Sequence, residues 1–179
     1  ACALPNGPEL AALFLALPSA GLTLAPLNPS LQLAELVWEL SDIPAAALIV
    51  QADGGDDAQR ALLAARRQGI ETLALRPDAR ICGSFMLRPN AAEPAWDVPH
   101  VRMRRLHGLV LTPLPSRADV ALVMHTSGTT RRPKVVPLVH RHLATGALCV
   151  ASTLQLERHD TSYNAMPLYH LHGLMVNVL

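Results

Sequence analysis

His125-Thr126-Ser127-Gly128-Thr129-Thr130-Arg131-Arg132-Pro133-Lys134 lies between two apolar runs, residues 120–124 and 134–138, each read as a strand, with Lys134 opening the second. The connection carries four hydroxyl side chains, one glycine and three cations. Such a set suits a polyphosphate. Backbone N–H groups and hydroxyls donate to its oxygens, and lysine adds a mobile point charge. Gly128 lets the backbone approach without a Cβ in the way. The spacing is not that of a Walker A loop, because no Gly-Lys-Ser/Thr follows Gly128 and Lys134 opens a strand instead of a helix. On residue types alone, a polar surface hairpin rich in Ser and Thr remains the alternative.

Upstream of this loop, residues 1–76 alternate between two periods. Leu10, Leu13, Phe14 and Leu17 make one helical face. Pro18 is expected to kink or stop that helix, and Gly21 marks its end. Residues 22–27 read as a buried strand, and Asn28, Pro29 and Ser30 as helix-start chemistry. Leu33, Leu36, Val37 and Leu40 repeat the helical stripe, and residues 45–50 form a second strand. A polar turn at 53–57 leads into a helix bearing Ala58, Ala61, Leu62 and Ala65. Gly69 closes it, and residues 71–75 are a third strand. Helices alternating with short apolar strands imply an α/β fold, a mostly parallel sheet flanked by helices on both faces. Residues 77–118 are punctuated by prolines and read as a linker with one or two irregular strands, such as 107–111. Beyond the loop, Leu143, Ala147, Val150 and Leu154 mark a helix. Residues 162–166 read as a strand, 167–173 as a loop, and a further helix begins at Leu174. The expected organisation is a first lobe (1–76), a linker (77–118) and a phosphate-loop lobe (119–179).

Composition narrows the function. Of 179 residues, half are hydrophobic and 16% charged, which describes a globular chain with a real core. Fifteen basic against 14 acidic residues leave a net charge of +1, so nothing points to nucleic acid or an anionic membrane. Cys2, Cys82 and Cys149 are odd in number and far apart, giving neither a disulfide framework nor a CxxC metal pair. They are expected to be buried thiols. No stretch approaches the ~20 apolar residues of a spanning helix, and no basic region precedes the first apolar run. The chain is read as cytoplasmic.

The order of residues says more than their types. Thr126-Ser127-Gly128-Thr129-Thr130, then Arg132-Pro133-Lys134 and Val136-Pro137-Leu138, resembles the phosphate-binding signature of the adenylate-forming superfamily, which includes acyl-CoA synthetases, luciferases and nonribosomal adenylation domains. Met166-Pro167-Leu168-Tyr169-His170-Leu171-His172-Gly173 resembles the loop that shapes the family's acyl pocket and borders the nucleotide. Leu4-Pro5-Asn6-Gly7-Pro8-Glu9, Gly21 and Ala25-Pro26-Leu27-Asn28-Pro29 resemble its opening region. His125 and the ending His170-Leu171-His172-Gly173 are similar to oxalate–CoA ligase-type members.

The resemblance implies ATP-dependent activation of a carboxylic acid as an acyl adenylate, then thioester formation with coenzyme A, with Mg²⁺ accompanying ATP. It implies that Thr126, Ser127, Gly128, Thr129 and Thr130 hold the β- and γ-phosphates, with Lys134 adding charge. His170 falls between nucleotide and acyl pocket as a candidate catalytic residue. His172 and Gly173 fall among pocket-lining positions, where His172 would read the second carboxylate of a small acid. The alternative is that both histidines are partly buried, hydrogen-bonded loop residues. A zinc site from His140, His142, His170 and His172 lacks a HExxH or cysteine pair to support it, and no metal ligand is assigned. Arg131 departs from the family, which has a small residue there. Its side chain strains the loop if φ is positive, or else adds phosphate affinity. Against the family pattern, a first strand–helix unit, the acidic magnesium residue, the ribose and adenine segments and a C-terminal lysine-bearing domain are not in this sequence. The isolated chain is therefore expected to be inactive, a part of a larger ligase. The alternatives are a non-catalytic truncated remnant or nucleotide-binding module, and an unrelated α/β protein whose loop binds another phosphate.

Overall fold

In the computed structural model, residues 1–90, 104–106, 109–111, 114–126 and 133–179 are described. Strands β1 (Cys2–Ala3), β2 (Ala47–Gln51), β3 (Glu71–Pro77) and β4 (Phe85–Pro89) form one sheet in that order. β1, β2 and β3 run parallel, and β4 returns antiparallel to β3. Helix α1 (Pro8–Ser19) and helix α2 (Leu33–Asp42) lie between β1 and β2, and α3 (Gly55–Gln68) crosses from β2 to β3. β5 (Arg104–Leu106) and β6 (Leu109–Leu111) make an antiparallel pair, as do β7 (Val120–His125) and β8 (Val135–Val139). Helices α4 (His140–Leu154) and α5 (Leu171–Asn177) follow. Among the described residues no helix is long and apolar enough to cross a membrane.

Alternation along the strands sends side chains to two cores. Cys2, Leu24 and Ile49 join Leu10, Leu13 and Phe14 of α1, with Leu122, Leu143, Leu168 and Leu174 from the later part of the chain. Ala3, Ala25, Leu48 and Val50 face the other way, onto Leu36 and Leu40 of α2 and Ala58, Ala61, Ala64 and Ala65 of α3. Small residues along α3 let it lie close to the sheet and to α2. Its charges suit the helix dipole: Asp56 and Asp57 in the first turn, Arg66 and Arg67 in the last, and Gly69 in the left-handed conformation at φ 65°.

Residues 22–27 do not make the regular strand expected of them. They make two bridges instead, Leu24 to Leu122 and Pro26 to Cys2. Leu24 N–H donates to the Ala121 carbonyl (3.0 Å), and Val123 N–H to the Leu24 carbonyl (2.8 Å). The next bond on that side would come from residue 26, which is proline and has no N–H. On the opposite side Cys2 N–H donates to Ala25 (2.9 Å) and Leu27 N–H to Cys2 (2.8 Å). This short segment therefore seams β1 to β7 and joins the two sheets.

Other expectations need correction. α1 continues through Pro18, which occupies its last turn, and stops only at Ala20, where the cap N–H reaches back to Ala16 and Leu17. Helix α2 begins after Gln32, whose N–H donates to Glu35 Oε2 at 2.8 Å; Asn28 makes an Asx turn to Ser30 upstream of it. Residues 77–90 hold β4, reached through a turn in which Gly83 has φ 75°. Of the expected strand at 107–111, residues 109–111 are β6 and His107 lies outside the described residues. Residues 162–166 are not a strand. The Asn164 side chain accepts from Met166 N–H (2.9 Å), a local bond that replaces a ladder bond. α5 starts at Leu171 and not at Leu174. On α4 only Leu143 is buried, and Leu154 is 59% exposed; among the described residues the helix packs chiefly on β8 and α5. Cys2 is buried, its thiol pushed up to about 12 by burial, but Cys82 and Cys149 are exposed.

Leu24 is fully buried at the seam. Leu24→Ala should therefore lower stability by about 2–5 kcal/mol, read as a shifted urea midpoint.

Candidate functional site

β7 and β8 pair up to His125 opposite Val135, and the next residues close the neck of the connecting loop. Thr126 N–H donates to the Lys134 carbonyl (2.9 Å), and Lys134 N–H donates to Thr126 Oγ1 (2.9 Å). The Thr126 hydroxyl thus uses a lone pair inside the protein and keeps its proton to donate outward. Thr126 and Lys134 are exposed. Ser127, Gly128, Thr129, Thr130, Arg131 and Arg132 lie outside the described residues.

Two clefts meet at this neck. One, of about 180 Å³, is lined by Pro26, Asn28, Glu39, His125, Thr126 and His170, among others. The second, of about 530 Å³, is lined by Met124, His125, Thr126, Val136, His170 and His172, among others. His125, Thr126 and His170 border both. A larger cavity of about 630 Å³ lies among Leu17, Ile43, Leu73, Val123 and Pro137, and its nearly all-apolar wall lacks the hydroxyl–imidazole set of the neck.

His170 caps α5. Its N–H donates to the Pro167 carbonyl (3.1 Å), its carbonyl accepts from Leu174 (3.2 Å), and its ring stands 4.8 Å from that of Tyr169. Both His170 and His172 are exposed, not partly buried as the alternative reading has it. Gly173 is buried, and a Cβ there would stand 2.3 Å from the Pro167 carbonyl oxygen. Glycine is therefore needed for the 167–173 turn to fold tightly and present the two imidazoles. Among the described residues, no three His, Cys, Asp or Glu group to hold a metal ion.

Sequence reading missed the surroundings of His125. Its side chain, 8% exposed, sits on α2 with Nδ1 3.9 Å from Glu39 and Nε2 3.8 Å from Asp42. The Trp38 ring lies 5.8 Å away. Burial pushes the imidazole below its ordinary value, against the pull of Asp42. Burial, helped by Glu35, pushes Glu39 up to about 7. His125 and Glu39 are thus not a standing ion pair, and neither contact is short enough to be a hydrogen bond. One signal was available: α2 carries Glu39 and Asp42 near its C-terminus with no basic residue in its last turn, where the helix dipole disfavours carboxylates.

The AMP-binding enzyme family matches residues 1–179. The chain belongs to that family. It is 34% identical over 185 residues to an oxalate–CoA ligase of Saccharomyces cerevisiae, covering 98% of this chain and 33% of the relative. It is 30% identical over 175 residues to an oxalate–CoA ligase of Arabidopsis thaliana, covering 98% and 31%. Among solved structures, a malonyl-CoA ligase product complex with methylmalonyl-CoA and AMP superposes with a TM-score of 0.68 at 26% identity, covering 99% of this chain and 32% of that one. The chain spans about a third of the length of these relatives.

Glu39 carries a raised value when folded, so its contribution to stability is full below its ordinary value and is lost as pH rises to about 7. His125 carries a lowered value, so its contribution is lost as pH falls below its ordinary value. In thermal melts against pH, Glu39→Gln should remove the decline toward neutrality, and His125→Gln the decline on the acid side.

Proposed function

We propose that the chain supplies the phosphate-binding part of an ATP-dependent acid–thiol ligase. We assign 1–76 and 119–179 to two lobes joined through 77–118, within which β4 completes the sheet of the first lobe. The whole protein joins a carboxylate to the α-phosphorus of ATP and expels pyrophosphate. A thiol, coenzyme A, then attacks the acyl carbonyl and expels AMP. The observation that carries this reading is the meeting of two clefts at Thr126 and His170, beside a neck that presents a hydroxyl proton and the Lys134 cation. The smaller cleft and the loop, with Ser127, Gly128, Thr129 and Thr130, take the nucleotide phosphates. Lys134 offsets charge on the departing pyrophosphate. The larger cleft takes the acid, which places His170 at the junction where the two reactants meet.

Among the described lining residues of the larger cleft, the polar side chains are His125, Thr126, His170 and His172. Two exposed imidazoles, on a wall whose other polar side chains are His125 and Thr126, suit a small acid with a second anionic group, as oxalate is. His172 is the residue we assign to that group, and Gly173 shapes the turn that carries it. For Mg²⁺ the fit is poor in these residues. Among the described residues, the one carboxylate lining either cleft is Glu39, which burial keeps partly protonated near neutrality, so no step is derived through the ion.

ATP–pyrophosphate exchange driven by a panel of carboxylic acids tests the reading, on the chain and on the full reading frame. Exchange in the long form and none in the short form is the expected result. None in either, with sound folding, would favour a remnant that at most binds nucleotide. In the long form Lys134→Ala should lower exchange by about 10- to 100-fold, the loss of one charge-assisted contact. His172→Phe should shift preference away from diacids; unchanged preference removes its assignment.

A further inference from the structure

Helix α2 sets two carboxylates, Glu39 and Asp42, one turn apart on the same face. They flank the His125 imidazole at its two nitrogens, at 3.9 Å and 3.8 Å. Nε2 is buried and has no hydrogen-bond partner. Each contact is roughly 1 Å longer than a hydrogen bond, so a small approach of α2 to β7 closes both. His125 is the last paired residue of β7, and Thr126, bonded twice to Lys134, is its neighbour. Any force on the imidazole is delivered one residue from the neck.

A neutral imidazole has one N–H and one lone pair. Asp42, the more exposed of the two carboxylates, suits Nε2–H as an acceptor. The Nδ1 lone pair then needs a donor, and Glu39 is one only while it carries its proton. We propose that Glu39 and Asp42 are positioning residues for nucleotide binding: Asp42 accepts from His125 Nε2–H, protonated Glu39 donates to Nδ1, and the imidazole so held sets the Thr126–Lys134 neck. This rests on the reading of the neck as a nucleotide-phosphate site. When Glu39 gives its proton to solvent, a carboxylate faces the lone pair and the hold is released.

The burial that pushes Glu39 up to about 7 places that release near neutrality. Glu35, one turn earlier on α2, helps to hold the proton on Glu39. From α5, His170 lines the same two clefts as His125. Across the neck Lys134 brings a cation, and the facing strand residues Val135 and Val136 bring no charge.

The test is NMR of the chain labelled with [15N]histidine, the His125 signal being assigned by its loss in His125→Gln. The expected result is an Nε2–H tautomer at about pH 6 and a change at Nδ1 centred near neutrality. Glu39→Gln should abolish that change, because its amide donates at every pH. An Nδ1–H tautomer, or an imidazole titrating identically in Glu39→Gln, overturns the proposal. In the full protein the KM for ATP in pyrophosphate exchange should rise about 3- to 10-fold between about pH 6 and about pH 8.5. It should stay low throughout in Glu39→Gln and high throughout in Glu39→Ala. A wild-type profile retained by Glu39→Gln overturns the proposal as well. Absence of exchange in every form counts against the phosphate-site reading, while the NMR result still decides the cluster.

Discussion

Four backbone hydrogen bonds around residues 24–27 hold the β1–β4 sheet and the β7–β8 pair together. Strand β1 has only two residues, and β7 pairs on its other edge with β8 alone; neither edge would be covered without Leu24, Ala25 and Leu27 between them. Pro26 ends the ladder on the β7 side by having no N–H to give, so the segment cannot grow into a longer strand. Alternation along the same few residues sends Leu24 into one core and Ala25 with Leu27 into the other. The seam thus fixes the position of β7 relative to α2, and through it the position of the neck at Thr126.

The site follows from that placement. Thr126 belongs to the end of a strand whose inner residues, Ala121 and Leu122, are fully buried, while its hydroxyl reaches solvent. His170 comes from a different element, held by the cap of α5 and by a turn that tolerates only glycine at residue 173. The two meet at the boundary of two clefts, which we assign to phosphate and to a small acid. Underneath, α2 presents carboxylates to the strand end in a setting that keeps one of them partly protonated. The chain belongs to the AMP-binding enzyme family, and the oxalate–CoA ligases it resembles are about three times as long.

Much of the fold was legible because burial and periodicity coincide. The stripe Leu10, Leu13, Phe14 is the buried face of α1, and Gly69 stands where a helix needs a left-handed residue. Legibility failed where a single polar or proline residue outweighed local pattern. Pro26 removed a donor from an apolar run that otherwise reads as a strand, and Asn164 offered its side chain to Met166 in place of a ladder bond. β4 escaped notice because it is short, lies at a sheet edge and ends in proline. For the site, Thr126, Lys134, His170 and His172 were singled out from residue order, through the family resemblance. The structure brings Thr126, His170 and His172 to one cleft, with Lys134 across the neck. The partners of His125 were not found, since Glu39 and Asp42 lie far away in sequence and only the fold brings them to it.

The central claim is that the neck at Thr126 and Lys134 receives the phosphates of ATP. Hydrogen–deuterium exchange of the full protein, with and without ATP, tests it most directly. Exchange should slow in peptides spanning residues 126–134 and at the α5 cap near His170. Nucleotide binding that leaves both regions unprotected, with protection elsewhere, would contradict it.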